Sequence, residues 1–218
     1  MAGRAAAQVR ISSEIASDAR YRGRSVSEER PTGNLDLSYD TAAGAYGGIA
    51  GAVVATSHHG LQPLTLREYV GYATRLDAGP ALDLGATHVA YTEYYGGHGG
   101  TQYSEVYAGL ISRRLKARLS YSPSYFGGHA RTLYGEVASA VQPARNWRLS
   151  VHAGVLTRLG GPAPAGLRPT QYDWRLGLAT AVRSFEVELA WSGAGPDYAP
   201  YARGDSRSAL VLALRRDF

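Results

Sequence analysis

The sequence predicts an all-β fold, a transmembrane antiparallel up-and-down β-barrel of about twelve strands. Three observations lead there. The first is the stretch Tyr172 to Trp191, where Tyr172, Trp174, Leu176, Leu178, Thr180 and Val182 alternate with Asp173, Arg175, Gly177 and Ala179. After Arg183-Ser184 the alternation resumes, with Phe185, Val187, Leu189 and Trp191 set against Glu186, Glu188 and Ala190. Successive strand side chains point to opposite faces, so this is a hairpin with one apolar, aromatic-ended face and one charged or small face. Each arm is about 10 residues long, which suits a tilted strand crossing a bilayer between aromatic girdles. The second observation is that the unit repeats along the chain. The third is that its connections alternate short and long, as expected when a barrel presents tight turns at one end and loops at the other.

Composition bounds the reading. The 218 residues include 27 Gly and 16 Tyr but 3 Phe, 1 Met and no Cys. Glycine and tyrosine suit turns and interfacial girdles, whereas the shortage of aliphatic runs argues against a large soluble core. The mean hydropathy of −0.23, with no run approaching the ~18 apolar residues of a spanning helix, excludes a helical membrane protein. The absence of cysteine fits an exported protein and fits many cytosolic ones equally well. The net charge of +5 comes from basic residues spread singly, so it implies lumen and rim charge and no nucleic-acid footprint.

Along the chain, residues 1–7 are expected to be a signal-peptide remnant or a disordered N-terminus, with Ala5-Ala6-Ala7 before Gln8 resembling a cleavage site. Residues 8–218 are then one barrel. The first strand runs from about Gln8 to Asp18, with Val9, Ile11, Ser13 and Ile15 on one face. A long polar segment follows to Gly33, then the strand Asn34 to Asp40, a turn at Ala42-Ala43-Gly44 and a strand from Tyr46 to Thr56 whose Gly and Ala content leaves its facing open. A loop with His58, His59 and Pro63 precedes the strand Leu64 to Arg75. Asp77-Ala78-Gly79-Pro80 is a turn signal. The strand Ala81 to Tyr94 carries Asp83 and Glu93, and a glycine loop around His98 follows. Tyr103 to Ser112 and Leu115 to Ser122 form a hairpin about Arg113-Arg114. Pro123 to Arg131, with Gly127-Gly128-His129, is read as a loop. Thr132 to Val141 and Trp147 to Arg158 pair about Pro143-Ala144-Arg145-Asn146. The loop Gly160 to Pro169 leads into the Tyr172 hairpin. The loop Gly193 to Ser206 is read as an inward-folding constriction before the last strand, Ser208 to Phe218. Short connections fall at Ala42, Asp77, Arg113, Ala144 and Arg183, and long ones near 19–33, 57–63, 95–102, 123–131, 159–171 and 193–206.

Alternation assigns the lumen. The pore-lining candidates are Arg10, Glu14, Asp18, Asp36, Asp40, Arg67, Asp83, Glu93, Glu105, Lys116, Arg118, Glu136, Arg148, His152, Asp173, Arg175, Glu186 and Glu188. Both signs are interspersed, which predicts a polar channel for small solutes or ions with weak charge preference. The same charges paired across a narrow interior would instead hold a plugged structural or adhesion-type barrel, because about twelve strands lie between filled small barrels and open porins. The lipid-facing girdle is Tyr39, Tyr121, Trp147, Tyr172, Trp174, Phe185, Trp191 and Phe218.

Several ordered motifs resemble the bacterial Gcw_chp, or TorF-type, porins. They are Ser17-Asp18-Ala19-Arg20-Tyr21-Arg22-Gly23 with Ser25 and Ser27, Tyr69-Val70-Gly71-Tyr72, Tyr91-Thr92-Glu93 and Tyr103-Ser104-Glu105-Val106-Tyr107-Ala108-Gly109. Tyr121-Ser122-Pro123-Ser124-Tyr125, Leu149-Ser150-Val151-His152-Ala153-Gly154 and Tyr172-Asp173-Trp174-Arg175-Leu176-Gly177 follow in the same order. The resemblance spans about residues 10–218 and implies an outer-membrane barrel of loosely defined function. The Gly47 to Ala55 enrichment departs from it. The terminal strand Ser208 to Phe218 is similar to those of bacterial outer-membrane proteins, which implies recognition by the outer-membrane assembly machinery. Bilayer lipid and lipopolysaccharide are the other implied partners, with both termini in the periplasm.

Rival readings rest on fewer residues. His58, His59, His98 and His129 lie in loops, and no carboxylate spacing turns them into a metal site. A lipid-modifying enzyme would need a nucleophile beside His88, and no serine lies two residues away on its strand, so catalytic residues, cofactors and metals are not assigned. A soluble β-sandwich binding module is the third class.

Overall fold

Alternating apolar and polar residues commit this chain to strands whose two faces meet different solvents, and closure removes every sheet edge. The computed structural model describes residues 7–77, 79–96, 99–162, 168–196 and 207–218. The elements are β1 (Gln8–Ala16), β2 (Arg20–Tyr21), β3 (Arg24–Ser25), β4 (Thr32–Asp40), β5 (Ala45–Thr56), β6 (Gly60–Arg75), β7 (Ala81–Tyr91), α1 (Glu93–Gly96), β8 (Thr101–Ile111) and β9 (Leu115–Tyr125). Then come β10 (Ala130–Ala144), β11 (Trp147–Gly160), β12 (Thr170–Val182), β13 (Phe185–Gly195) and β14 (Ser208–Asp217). β1 and β4 to β14 form one closed antiparallel barrel in chain order, sealed by β1 pairing with both β14 and β4. β2 and β3 form a separate two-stranded hairpin.

The face assignment follows the alternation. Ile15, Leu35, Val70, Val106, Leu119, Val151, Leu189 and Leu212 are exposed on the outer wall. Glu105, Ser120, Asp173 and Ala190 are buried on the inner one. An outer surface this apolar is stable only against hydrocarbon. β5, left open by its sequence, turns Ile49 outward and Ala50 and Val54 inward.

The end that carries both termini has the connections at 41–44, 76–80, 112–114, 145–146 and 183–184. The last is a two-residue turn with Val182 facing Phe185, and Arg183 at positive φ supplies the twist such turns need. The far end has connections at 17–31, 57–59, 92–100, 126–129, 161–169 and 196–207. Two differ from expectation. β6 starts at Gly60 rather than Leu64, because Pro63 is accommodated at a bulge opposite Val53, where its missing N–H costs no ladder bond. β9 continues through Pro123 to Tyr125 and β10 begins at Ala130, which reduces the expected 123–131 loop to four residues, 126–129.

Glycines on the inner wall seat tyrosine rings. The Tyr107 ring lies across Gly85, its register partner on β7, and Tyr69, Tyr46 and Tyr134 cover Gly48, Gly71 and Gly154 in the same manner. A Cβ at position 85 would also meet the Val70 carbonyl, so neither backbone nor ring can yield. Gly85→Val is therefore expected to destabilise the barrel by about 2–3 kcal/mol, read as a lower midpoint for loss of heat-modifiable gel mobility in denaturant.

Candidate functional site

The segment between β1 and β4 is the centre of the lumen. β1 ends at Ala16, so Asp18, expected on that strand, instead begins an inward-folded hairpin. Arg20 faces Ser25 and Tyr21 faces Arg24 across a two-residue turn, Arg22-Gly23. Both turn residues have positive φ, 45° and 74°, which matches the tight turn suited to a twisted hairpin. Glycine is needed at position 23 for a second reason, since a Cβ there would strike the Gly193 carbonyl of β13. Arginine at position 22 is strained, and the strain aims its side chain across the barrel.

That side chain is the best-held cation in the interior. Arg22 Nη2 donates to Glu105 Oε1 of β8 at 2.7 Å, and Nη1 donates to the Tyr125 hydroxyl at 2.8 Å. Its guanidinium carbon sits 3.8 Å from the Tyr134 ring centroid. Both side chains of the pair are 7% exposed. The base of the hairpin is tied by Asp18, whose carboxylate accepts from Ser25 Oγ at 2.6 Å, Ser27 Oγ at 2.8 Å and Arg20 Nη1 at 2.8 Å. Tyr94 of α1 donates to the Ser27 carbonyl, and Arg24 donates to the Pro196 carbonyl. Val26, Val54, Leu64, Val89, Tyr91, Tyr95, Tyr103, Tyr125, Tyr134 and Leu156 form a buried cluster at this level, with Tyr21 and Phe126 packed on it. The far end of the lumen is thus filled by packed side chains.

Below the hairpin lies a cavity of about 740 Å³. Of the sequence-assigned residues, Glu14, Asp18, Arg67, Glu105, Arg118, Glu136, His152, Asp173 and Arg175 border it. Asp36 and Asp83 sit behind them, Asp36 accepting from Arg67 and Tyr69 at 3.0 Å each, and Asp83 from Arg118 at 2.8 Å and from Tyr46. Tyr134 and His152 share Asp173. Arg175 pairs with Glu188 at 2.9 Å, and Arg148 with Glu186. Arg10 and Lys116 lie on the same inner register nearer the terminal end, Arg10 exposed and Lys116 half-buried. Asp40 shares that face through its pairing with Tyr46. Arg175 and Arg67, about midway along their strands, are 41% and 49% exposed, and Arg10, Arg148 and Glu186 nearer the terminal end are exposed or partly so, so the cavity opens that way.

Two expectations need correction, the place of Glu93 and the 17–31 polar loop, and a third lies largely outside the described residues. Glu93 lines nothing: β7 stops at Tyr91, and Glu93 opens α1, exposed. The constriction expected from Gly193 to Ser206 falls largely outside the described residues, because 197–206 are not among them, and β13 runs on to Gly195. The element that narrows the described lumen is the 17–31 hairpin, which the sequence showed only as a polar loop. Its signal was the serines at 25 and 27, spaced to bond Asp18, and the Arg22-Gly23 turn. Of the loop histidines, His98 lies outside the described residues, and no group of potential metal ligands occurs among those described. The girdle residues Tyr39, Trp147, Tyr172, Phe185, Trp191 and Phe218 are exposed, while Tyr121 and Trp174 are half-buried. On the outer wall His88 Nδ1 lies 2.9 Å from Ser104 Oγ of the adjacent strand. A search confined to the histidine's own strand cannot find that pair.

Comparison with known proteins adds the family and the fold. A family model described as a bacterial protein of unknown function, Gcw_chp, matches residues 2–213. The NanC porin superposes with a TM-score of 0.56 at 9% identity, covering 96% of this chain and 98% of that one. The KdgM porin does so at 0.55 and 10%, covering 96% and 99%. A search of curated proteins finds no match.

Removing the Glu105 carboxylate leaves Arg22 buried without its counter-charge, at a cost of about 3 kcal/mol or more. Glu105→Ala is expected to release the hairpin while the barrel stays folded. Hydrogen exchange would show amide protection of residues 19–27 falling by roughly a hundredfold, with strand protection unchanged.

Proposed function

The chain belongs to the Gcw_chp family of bacterial proteins of unknown function, and we propose that it is an outer-membrane, porin-like channel for small polar solutes or ions, closed at rest by its inner hairpin. The observation that carries this reading is a charge-lined cavity of about 740 Å³ inside a closed twelve-strand barrel, open toward one end and, among the described residues, filled at the other by the inner hairpin and the tyrosine cluster it packs on. In this reading both termini and the tight turns face the periplasm, and the exposed girdle sits at the interfaces. Lipopolysaccharide borders the far end. The strand Ser208–Asp217 with terminal Phe218 is what the assembly machinery engages. The ordered Tyr-rich motifs that resemble those of TorF-type porins, and the fold likeness to the NanC and KdgM porins, support the same conclusion.

Many of the lumen charges are paired, among them Asp18 with Arg20, Glu105 with Arg22, Asp83 with Arg118 and Glu188 with Arg175. A solute crossing this interior meets alternating fields rather than one sign, so selectivity between anions and cations is weak. A plugged structural barrel is the second reading, favoured by the aromatic cluster around Tyr103 and Tyr125 that fills the far end.

Planar-bilayer conductance separates the two. Wild-type protein is expected to give small, infrequent steps. Replacing residues 18–30 by a short Gly-Ser linker should give long-lived openings several times larger, with a reversal potential near zero in a salt gradient. Absence of current from the linker variant, with its heat-modifiable mobility intact, would favour the plugged barrel and defeat the channel.

A further inference from the structure

We infer that the outer wall carries a serine-hydrolase centre, Ser104-His88-Glu68, acting on carboxylic esters of membrane-lipid acyl chains. This activity is independent of the channel, since its residues face away from the lumen. The three residues lie side by side across β6, β7 and β8, Glu68 opposite His88 and His88 opposite Ser104 in register. Cross-strand partners share a face, and this face is the lipid-exposed one, where Leu66, Val70, Leu84 and Val106 point outward. Among the described strand residues, Glu68 and His88 are the Asp, Glu, His, Lys or Arg side chains that the alternation places on the outer wall away from strand ends. Ionisable groups facing hydrocarbon are costly and mark function more often than structure. That two of them should be register neighbours, with a hydroxyl bonded to one, makes scattered polar substitution a poor explanation.

The chemistry follows from the pair. Ser104 Oγ and His88 Nδ1 are 2.9 Å apart, within reach of a nucleophile and its general base. Glu68 makes no ion pair with the ring in this conformation. As the cross-strand neighbour on the other side it is placed to accept the proton of the remaining ring nitrogen and hold the productive tautomer. It is a positioning residue. His88 lies three residues from the end of β7 at Tyr91, and Ser104 three from the start of β8 at Thr101. At ~3.3 Å per residue that is about 10 Å along a tilted strand from its far end.

In the reaction Ser104 Oγ attacks the ester carbonyl carbon while its proton passes to His88. Gln102, two residues nearer the rim on the same face, offers an amide N–H to the oxyanion. Collapse breaks the carbon–oxygen bond to the lipid alcohol, which leaves with the proton from His88 as acyl-Ser104 forms. Water then attacks the acyl-serine, giving its proton to His88. The serine recovers that proton, and a free fatty acid departs.

The test is fatty-acid release by refolded protein in mixed micelles of phosphatidylcholine and, separately, of lipopolysaccharide, together with fluorophosphonate labelling read by peptide mass spectrometry. Release from either lipid and an adduct on Ser104 are expected. Ser104→Ala and His88→Asn should lower release by about a hundredfold or more, while bilayer conductance and heat-modifiable mobility stay as in wild type. Glu68→Gln should reduce kcat by about tenfold with KM unchanged, as expected when one orienting group is lost, and Glu68→Asp should restore part of the loss. No release from either lipid with no adduct on Ser104, or release undiminished in Ser104→Ala, would overturn the assignment.

Discussion

The buried pair between Arg22 and Glu105 is the contact on which the state of the lumen depends. It joins the tip of a fifteen-residue connection, 17–31, to the wall of β8 at 2.7 Å, in surroundings where both side chains are almost dry. Removing two charges from water is expensive, and attraction between them compensates only when the remaining donors are also satisfied. Here they are. The second guanidinium nitrogen reaches Tyr125, and the Tyr134 face covers the cation in the arrangement that stabilises a desolvated arginine. The same contacts offset the strain of an arginine at positive φ. Barrel and hairpin therefore specify each other: the wall supplies the counter-charge and rings, and the hairpin supplies the side chain that keeps them from facing an empty lumen.

A second constraint lies in how the wall carries its charge. Inner glycines let tyrosine rings lie flat against the strands, which thins the lining and turns the hydroxyls toward carboxylates. Tyr46, Tyr107, Asp83 and Arg118 thus form one network across four strands. Tyr134, His152 and Asp173 form another. Such networks tie neighbouring strands together at right angles to the barrel axis, while leaving the terminal half of the cavity polar and solvated. Rigidity of the wall and the docking of the inner hairpin are both consequences of where the ion pairs fall.

Much of the barrel was legible in the chain because strand alternation is a local signal. The Tyr172 to Trp191 hairpin, the outward Leu210, Leu212 and Leu214 and the tight turns at one end follow from spacing alone. What was illegible depended on contacts distant in sequence. Asp18 reads as the last residue of a strand until Ser25 and Ser27 are seen to close on it. Arg22 reads as one of several loop arginines until Glu105, 83 positions away, is placed opposite. Glu93 continues an alternation that the fold interrupts for a single helical turn. Ser104 meets His88 only through register.

The occluded lumen is tested most directly by accessibility from each side. The chain has no cysteine, so Ser120→Cys places a single thiol on the cavity wall. In oriented proteoliposomes, a membrane-impermeant maleimide is predicted to label it rapidly from the terminal end and negligibly from the far end. Equal labelling from both ends would show that the hairpin does not seal the barrel and would contradict the account.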